Sequence, residues 1–165
     1  MLALHNPTVV TPHFTEILGA LAPLFELTHD ADAELKDNAV SAVGRLLLAN
    51  ISAVPTEQVV PPFLAGLPLR KDESENENVY TVVAALLEAK HPHMLPVLPS
   101  ALVAVAHCLN AGQDKKVSDA LKARVAQALK GLFADPQHTS TATAALQQVS
   151  AEDTALGGFL HQVLQ

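Results

Sequence analysis

From Arg70 to Asn78 the sequence reads RKDESENEN, where the carboxylates of Asp72, Glu73, Glu75 and Glu77 are interleaved with the amides of Asn76 and Asn78. Oxygen acceptors this dense can hold a hard cation, solvate a loop, or accept hydrogen bonds from an ammonium group. Calcium is the first chemistry to test. A calcium loop needs glycine at its sixth position, for the sharp turn, and a bidentate Glu at its twelfth. "DESENENVYTVV" has Glu77 and Val83 there, and the second candidate, "DADAELKDNAVS", has Leu35 and Ser41. Neither is a calcium site. What remains is a carboxylate and amide wall suited to a lysine, or a plain solvated face.

Other reactive side chains are scattered. The eight histidines are His5, His13, His29, the pair His91 and His93 around Pro92, His107, His138 and His161. None forms the helical i, i+4 pair of a zinc motif such as H-E-x-x-H, and "HPH" reads as a turn. Cys108 follows His107, but neighbours on a helix point in different directions and no orienting acid is near, so a nucleophile with its base is not indicated. The lone cysteine reads as a small buried hydrophobe, with no disulfide or cysteine zinc site available to it. Gly157-Gly158 lacks the Lys and Ser/Thr of a phosphate loop. No catalysis, cofactor or metal is expected.

Composition narrows the class. Of 165 residues 49% are hydrophobic and 4% aromatic, with no Trp, so the core must be aliphatic, which favours helices packed on helices. A net charge of −7 argues against a nucleic-acid surface, which needs clustered Lys and Arg, and leaves basic proteins open as partners. Lys115, Lys116, Lys122, Arg124 and Lys130 do make one later stretch basic. The interspersed Asp114 and Asp119 and the missing aromatics favour a solvated helix there. The longest apolar run, "LPVLPSALVAVAHCL", is shorter than the roughly 18–20 residues that span a bilayer and carries two prolines. No signal-peptide pattern opens the chain.

The elements that must position these residues are helical. In "DADAELKDNAVSAVGRLLLAN" the spacing of Leu35, Ala39, Val43, Leu46 and Leu47 predicts an apolar stripe, with Glu34, Asp37, Asn38, Ser41 and Arg45 opposite and Asp30 or Asp32 as cap. Val79, Val82, Val83, Leu86 and Leu87 repeat the design, as do Val117, Leu121, Val125, Leu129 and Leu132. Each such helix follows an apolar segment broken by proline (Pro23, Pro61, Pro62, Pro96, Pro99), which suggests a bent first helix. Three pairs recur at roughly 40 residues, the period of HEAT-type repeats. They span about 12–50, 54–91 and 93–134, and a closing pair spans 137–164, with Ser150 expected to cap its second helix. The expectation is an all-α protein: one right-handed α-solenoid of antiparallel HEAT pairs over 1–165, ending in a C-terminal cap pair. Because the N-terminal segment carries no polar covering helix, the chain is expected to be a fragment of a longer solenoid, cut at its N-terminal side.

"ELKDNAVSAVGRLLL" followed by "VPTEQVVPPFLAGLPLRKDESENENVY" resembles the closing HEAT repeats of the importin-β (karyopherin) superfamily, in particular its importin-4-type members, with the importin-5 type next. The shared elements are Asp37-Asn38 opening an inner helix, "LPL" at Leu67 to Leu69, and the acidic D-x-x-E-N run that follows. They occupy the middle third of the chain. Beyond residue 95 the match is a helical pattern only. The resemblance implies a nuclear import receptor shuttling between cytoplasm and nucleus, with basic cargo such as histones H3 and H4 or ribosomal proteins. The GTPase Ran and Phe-Gly nucleoporins would be partners of the full-length receptor only.

Within that reading Asn38, Glu75 and Glu77 are the candidate lysine ligands, and Glu34, Asp37, Glu73, Asn76 and Asn78 shape the negative field around them. In a solenoid the second helices of successive pairs line one face, so "AELKDNAV" and "KDESENENVY" should meet across a groove. Asp37 has a structural alternative, bonding to neighbouring backbone. The rival reading of the whole chain is a HEAT scaffold that binds a folded partner and carries no import cargo.

Overall fold

The computed structural model describes residues 6–112 and 116–165; His5, Asp114 and Lys115 lie outside the described residues. Among the described residues there is no strand. Eight helices of eight residues or more follow in order: α1 Phe14–Leu21, α2 Ala33–Asn50, α3 Thr56–Ala65, α4 Asn76–Glu88, α5 Leu98–Leu109, α6 Asp119–Ala134, α7 Thr139–Glu152 and α8 Thr154–Leu164.

Two layers result. α2, α4 and α6 stand side by side in one, while α3, α5 and α7 stand side by side in the other. α1 packs on α2, α4 and α6 both lie against α5, and α8 closes over α7, α5 and α6. The seam between the layers holds one continuous core that includes Val60, Phe63, Val83, Leu102, Val105 and Leu129, all fully buried. At about 1.5–3 kcal/mol for each large aliphatic or Phe side chain, this burial is the main term holding the layers together. The architecture is an all-α solenoid.

Two glycines mark close approaches. A Cβ on Gly66 would stand 2.5 Å from Val40 of α2. One on Gly157 would meet Ser150, 2.2 Å from its Oγ and 2.6 Å from its Cα, so only glycine lets α8 turn back this closely on α7. Gly157-Gly158 is thus a packing feature at its first residue.

Several local expectations change. Leu35 is 48% exposed, whereas Asp37 and Ser41, expected on the solvent face, are each 2% exposed. α2 has neighbours on several sides, and a single stripe underestimates what it buries. Neither Asp30 nor Asp32 caps α2 with its side chain; Asp30 instead pairs with Arg70. Ser150 belongs to α7, where its hydroxyl donates to the Leu146 carbonyl, and the cap of α8 is Asp153, accepting from the Leu156 N–H. Pro96 and Pro99 stand at the starts of a 3-10 turn and of α5, positions where the missing N–H costs little, while Pro61 and Pro62 lie inside α3. Cys108 is fully buried, and its thiol is pushed up to about 12, by desolvation first. No helix among the described residues is long and apolar enough to cross a membrane.

Candidate partner-binding surface

The row α2–α4–α6 carries most of the polar chemistry, and its side chains are tied across the helices. Asp37 is the deepest. Its Oδ2 accepts the backbone N–H groups of Arg70 at 2.8 Å, Lys71 at 2.6 Å and Asp72 at 3.0 Å. Three converging amides need an anion or a very good acceptor, and a buried carboxylate supplies both. Asp37 thereby fixes the turn that leads into α4. The structural alternative for this residue is the one its contacts describe.

The acidic run then divides. Glu75 forms an ion pair with Arg45 of α2, and its second oxygen accepts from Asn78 Nδ2 at 3.0 Å. Glu77 reaches the other way: its oxygens accept the Ser118 N–H at 2.8 Å and the Ser118 hydroxyl at 2.7 Å, while Ser118 Oγ caps α6 by accepting from Leu121 N–H. Asn76 is buried, and Glu73 lines a cavity of about 200 Å³ with Asn76, Tyr80, His107 and Asn110. Burial raises the Tyr80 phenol far above its usual range.

The predicted groove residues therefore have different surroundings. Glu34 and Asn38 stand exposed on α2, one turn apart, and Arg45, two turns beyond Asn38, carries Glu75 on the same side of the helix. Glu34 and Asn38 lie along the side of α2 on which Arg45, farther on, holds Glu75, and Asn78 bonds to Glu75. Glu77 is drawn off toward α6 by Ser118, and Asp37 is turned inward. Sequence reading missed Arg45 and Ser118 as partners in this site, because nothing in local spacing links residues 30 or 41 positions apart.

Farther along the row Arg124 of α6 grips Glu88 of α4 with two hydrogen bonds, 2.8 and 2.7 Å. These bonds hold the Glu88 carboxyl below, and the Arg124 guanidinium above, its ordinary pKa. Lys90 pairs with Asp135 and lowers its pKa, helped by the Gln137 N–H. The basic stretch of α6 is thus partly neutralised by α4. Among the described residues no three His, Cys, Asp or Glu side chains converge as a metal site would require. On the other layer, a groove of about 460 Å³ opens between α1 and α3, lined by Leu18, Ala22, Phe25, Val59 and Pro62 among others; the sequence did not reveal it.

What the fold and this surface define is a helical-repeat protein whose polar side chains tie neighbouring helices together. No family model matches the chain. It is 30% identical to human importin-4 over 146 residues, 88% of this chain and 13% of that protein. It is 29% identical to a probable importin subunit beta-4 of Schizosaccharomyces pombe over 79% of the chain and 12% of that protein. With mouse importin-4 it shares 33% identity over 75 residues. The chain belongs to the importin-β family and is of the importin-4 type. It spans about one eighth of the length of the human and the Schizosaccharomyces pombe proteins, 13 and 12% of them.

Proposed function

We propose that this chain is a cargo-binding segment of a nuclear import receptor, recognising lysine-rich stretches such as the tails of histones H3 and H4 or basic loops of ribosomal proteins. One observation carries it: in a chain of importin-4 kinship, exposed Glu34 and Asn38 share a helix face with the Glu75 carboxylate, which Arg45 and Asn78 hold in place. A lysine laid there has a carboxylate and an amide oxygen for its ammonium and helix wall for its stem. Glu75 acts as a positioned acceptor with its charge partly offset by Arg45, so the free charge comes chiefly from Glu34. Asp37, Asn76 and Glu73 shape the wall. Glu77 contributes field only while Ser118 holds it. The segment is a carrier with no chemical step, and the whole receptor would shuttle between cytoplasm and nucleus.

The test is fluorescence anisotropy of a labelled H3-tail peptide against this chain, beside a peptide of the same composition in scrambled order, at low and moderate salt. The double variant Glu34→Lys with Asn38→Ala changes exposed residues and leaves the Arg45–Glu75 pair intact. Weakening by about tenfold in the variant, equivalent to about 1.4 kcal/mol, supports the reading. Equal binding of true and scrambled peptides, or no loss in the variant, refutes it.

The apolar groove between α1 and α3 favours a second reading, a HEAT scaffold that takes a folded partner on its other layer. Such binding would vary little with salt.

A further inference from the structure

The turn from α4 to α5 carries an arrangement that the cargo surface does not use. His91 and His93 flank Pro92, with ring centroids 5.5 Å apart and the rings edge to face. His93 Nδ1 lies 2.9 Å from the hydroxyl of Thr56, the first residue of α3, so the turn is tied to a helix 37 residues earlier in the chain. His91 Nδ1 accepts the backbone N–H of His93 at 3.3 Å. That bond assigns the His91 proton: Nδ1 must carry a lone pair, so the ring is neutral with its hydrogen on Nε2.

We propose that this turn is proton-sensitive: the bond from the His93 N–H to His91 Nδ1, which closes the turn that His93 anchors to Thr56, holds while His91 is neutral and is lost when His91 takes a proton. Protonation converts Nδ1 from acceptor to donor, which sets it against the His93 N–H and ends that bond. It also places a cation beside a second imidazole whose ring centroid is 5.5 Å away. The other charges near the turn are engaged elsewhere: Lys90 with Asp135, and Glu88 with Arg124. Glu57, next to Thr56, is exposed. The charge that bears on His91 is His93; together with partial burial, the larger cause, it lowers the His91 pKa from the ordinary 6.5. Neutral His91 is thus the folded form, and stability from that bond is present above the unfolded pKa and lost as pH falls. Because the turn connects the α4 layer to α5, which packs on α3, α4 and α6, loosening it changes how those helices lean on one another.

This inference is independent of any cargo. The experiment is NMR titration of the whole chain from pH 7.5 to 5, following the ring protons of His91 and His93 and the exchange protection of the His93 amide. The expected result is that His91 titrates below 6.5 and that His93 protection, corrected for intrinsic exchange, falls about fivefold through that titration, the worth of one ordinary hydrogen bond. His91→Asn, whose side-chain oxygen can replace Nδ1 as a non-titrating acceptor, should keep the amide protected across the range. A His91 pKa at or above 6.5, an unchanged His93 amide, or the same fall in the Asn variant overturns the proposal.

Discussion

Replacing Asp37 by Ala removes the acceptor of three backbone N–H groups at once, those of Arg70, Lys71 and Asp72. A hydrogen bond to a charged group contributes about 1.5–3 kcal/mol net, and a donor left buried without a partner costs about 1–3 kcal/mol. The three sites are not equivalent. Arg70 and Lys71 are exposed residues whose amides water can reach once the carboxylate is gone, which discounts the sum to roughly 3 kcal/mol. For a chain of this size that lowers the melting temperature by about 6–12 °C. Asp37→Asn keeps the shape and one oxygen acceptor, and roughly half the loss is expected. Thermal unfolding by circular dichroism measures the total, and hydrogen exchange at residues 70–72 locates it. If Asp37→Ala costs less than about 1 kcal/mol and those amides stay protected, the turn into α4 is held by something other than Asp37 and the reasoning fails.

Other perturbations address separate links. Gly157→Ala drives a Cβ into the Ser150 backbone and is expected to cost about 1–3 kcal/mol by urea unfolding, by parting α8 from α7; a neutral result means the two helices can slide apart freely. Ser118→Ala removes both the cap of α6 and the hydroxyl bond to Glu77, for about 1 kcal/mol, with exchange rising at Leu121. The Glu88–Arg124 pair is exposed, so Glu88→Gln should change stability at pH 7 by less than about 1 kcal/mol. Since Arg124 lowers the Glu88 pKa, the pair's contribution is present above the unfolded carboxylate pKa and lost as pH falls through the lower folded value; the Gln variant should show a slightly flatter stability profile from pH 5 to 3. Cys108, buried with its thiol pushed up to about 12, should resist thiol reagents at pH 8 until urea unfolds the chain.

The sequence by itself determined the class of fold. Helical spacing of aliphatic residues is a local signal, and the stripes Val79–Leu87 and Val117–Leu132 predicted from it are buried as expected. It also excluded calcium by position within a short loop. Tertiary structure decided the rest, because burial of a polar side chain depends on what packs over it. Asp37 and Ser41 looked like solvent-facing residues of an amphipathic helix until the turn at 70–72 and the neighbouring helix covered them. Glu75 and Glu77 are two residues apart in one acidic run, yet one is taken by Arg45 of α2 and the other by Ser118 at the start of α6. Charge in a run is legible from sequence, but the partner of each charge is set by contacts between residues 30 or 41 positions apart, and only the folded layer brings those together.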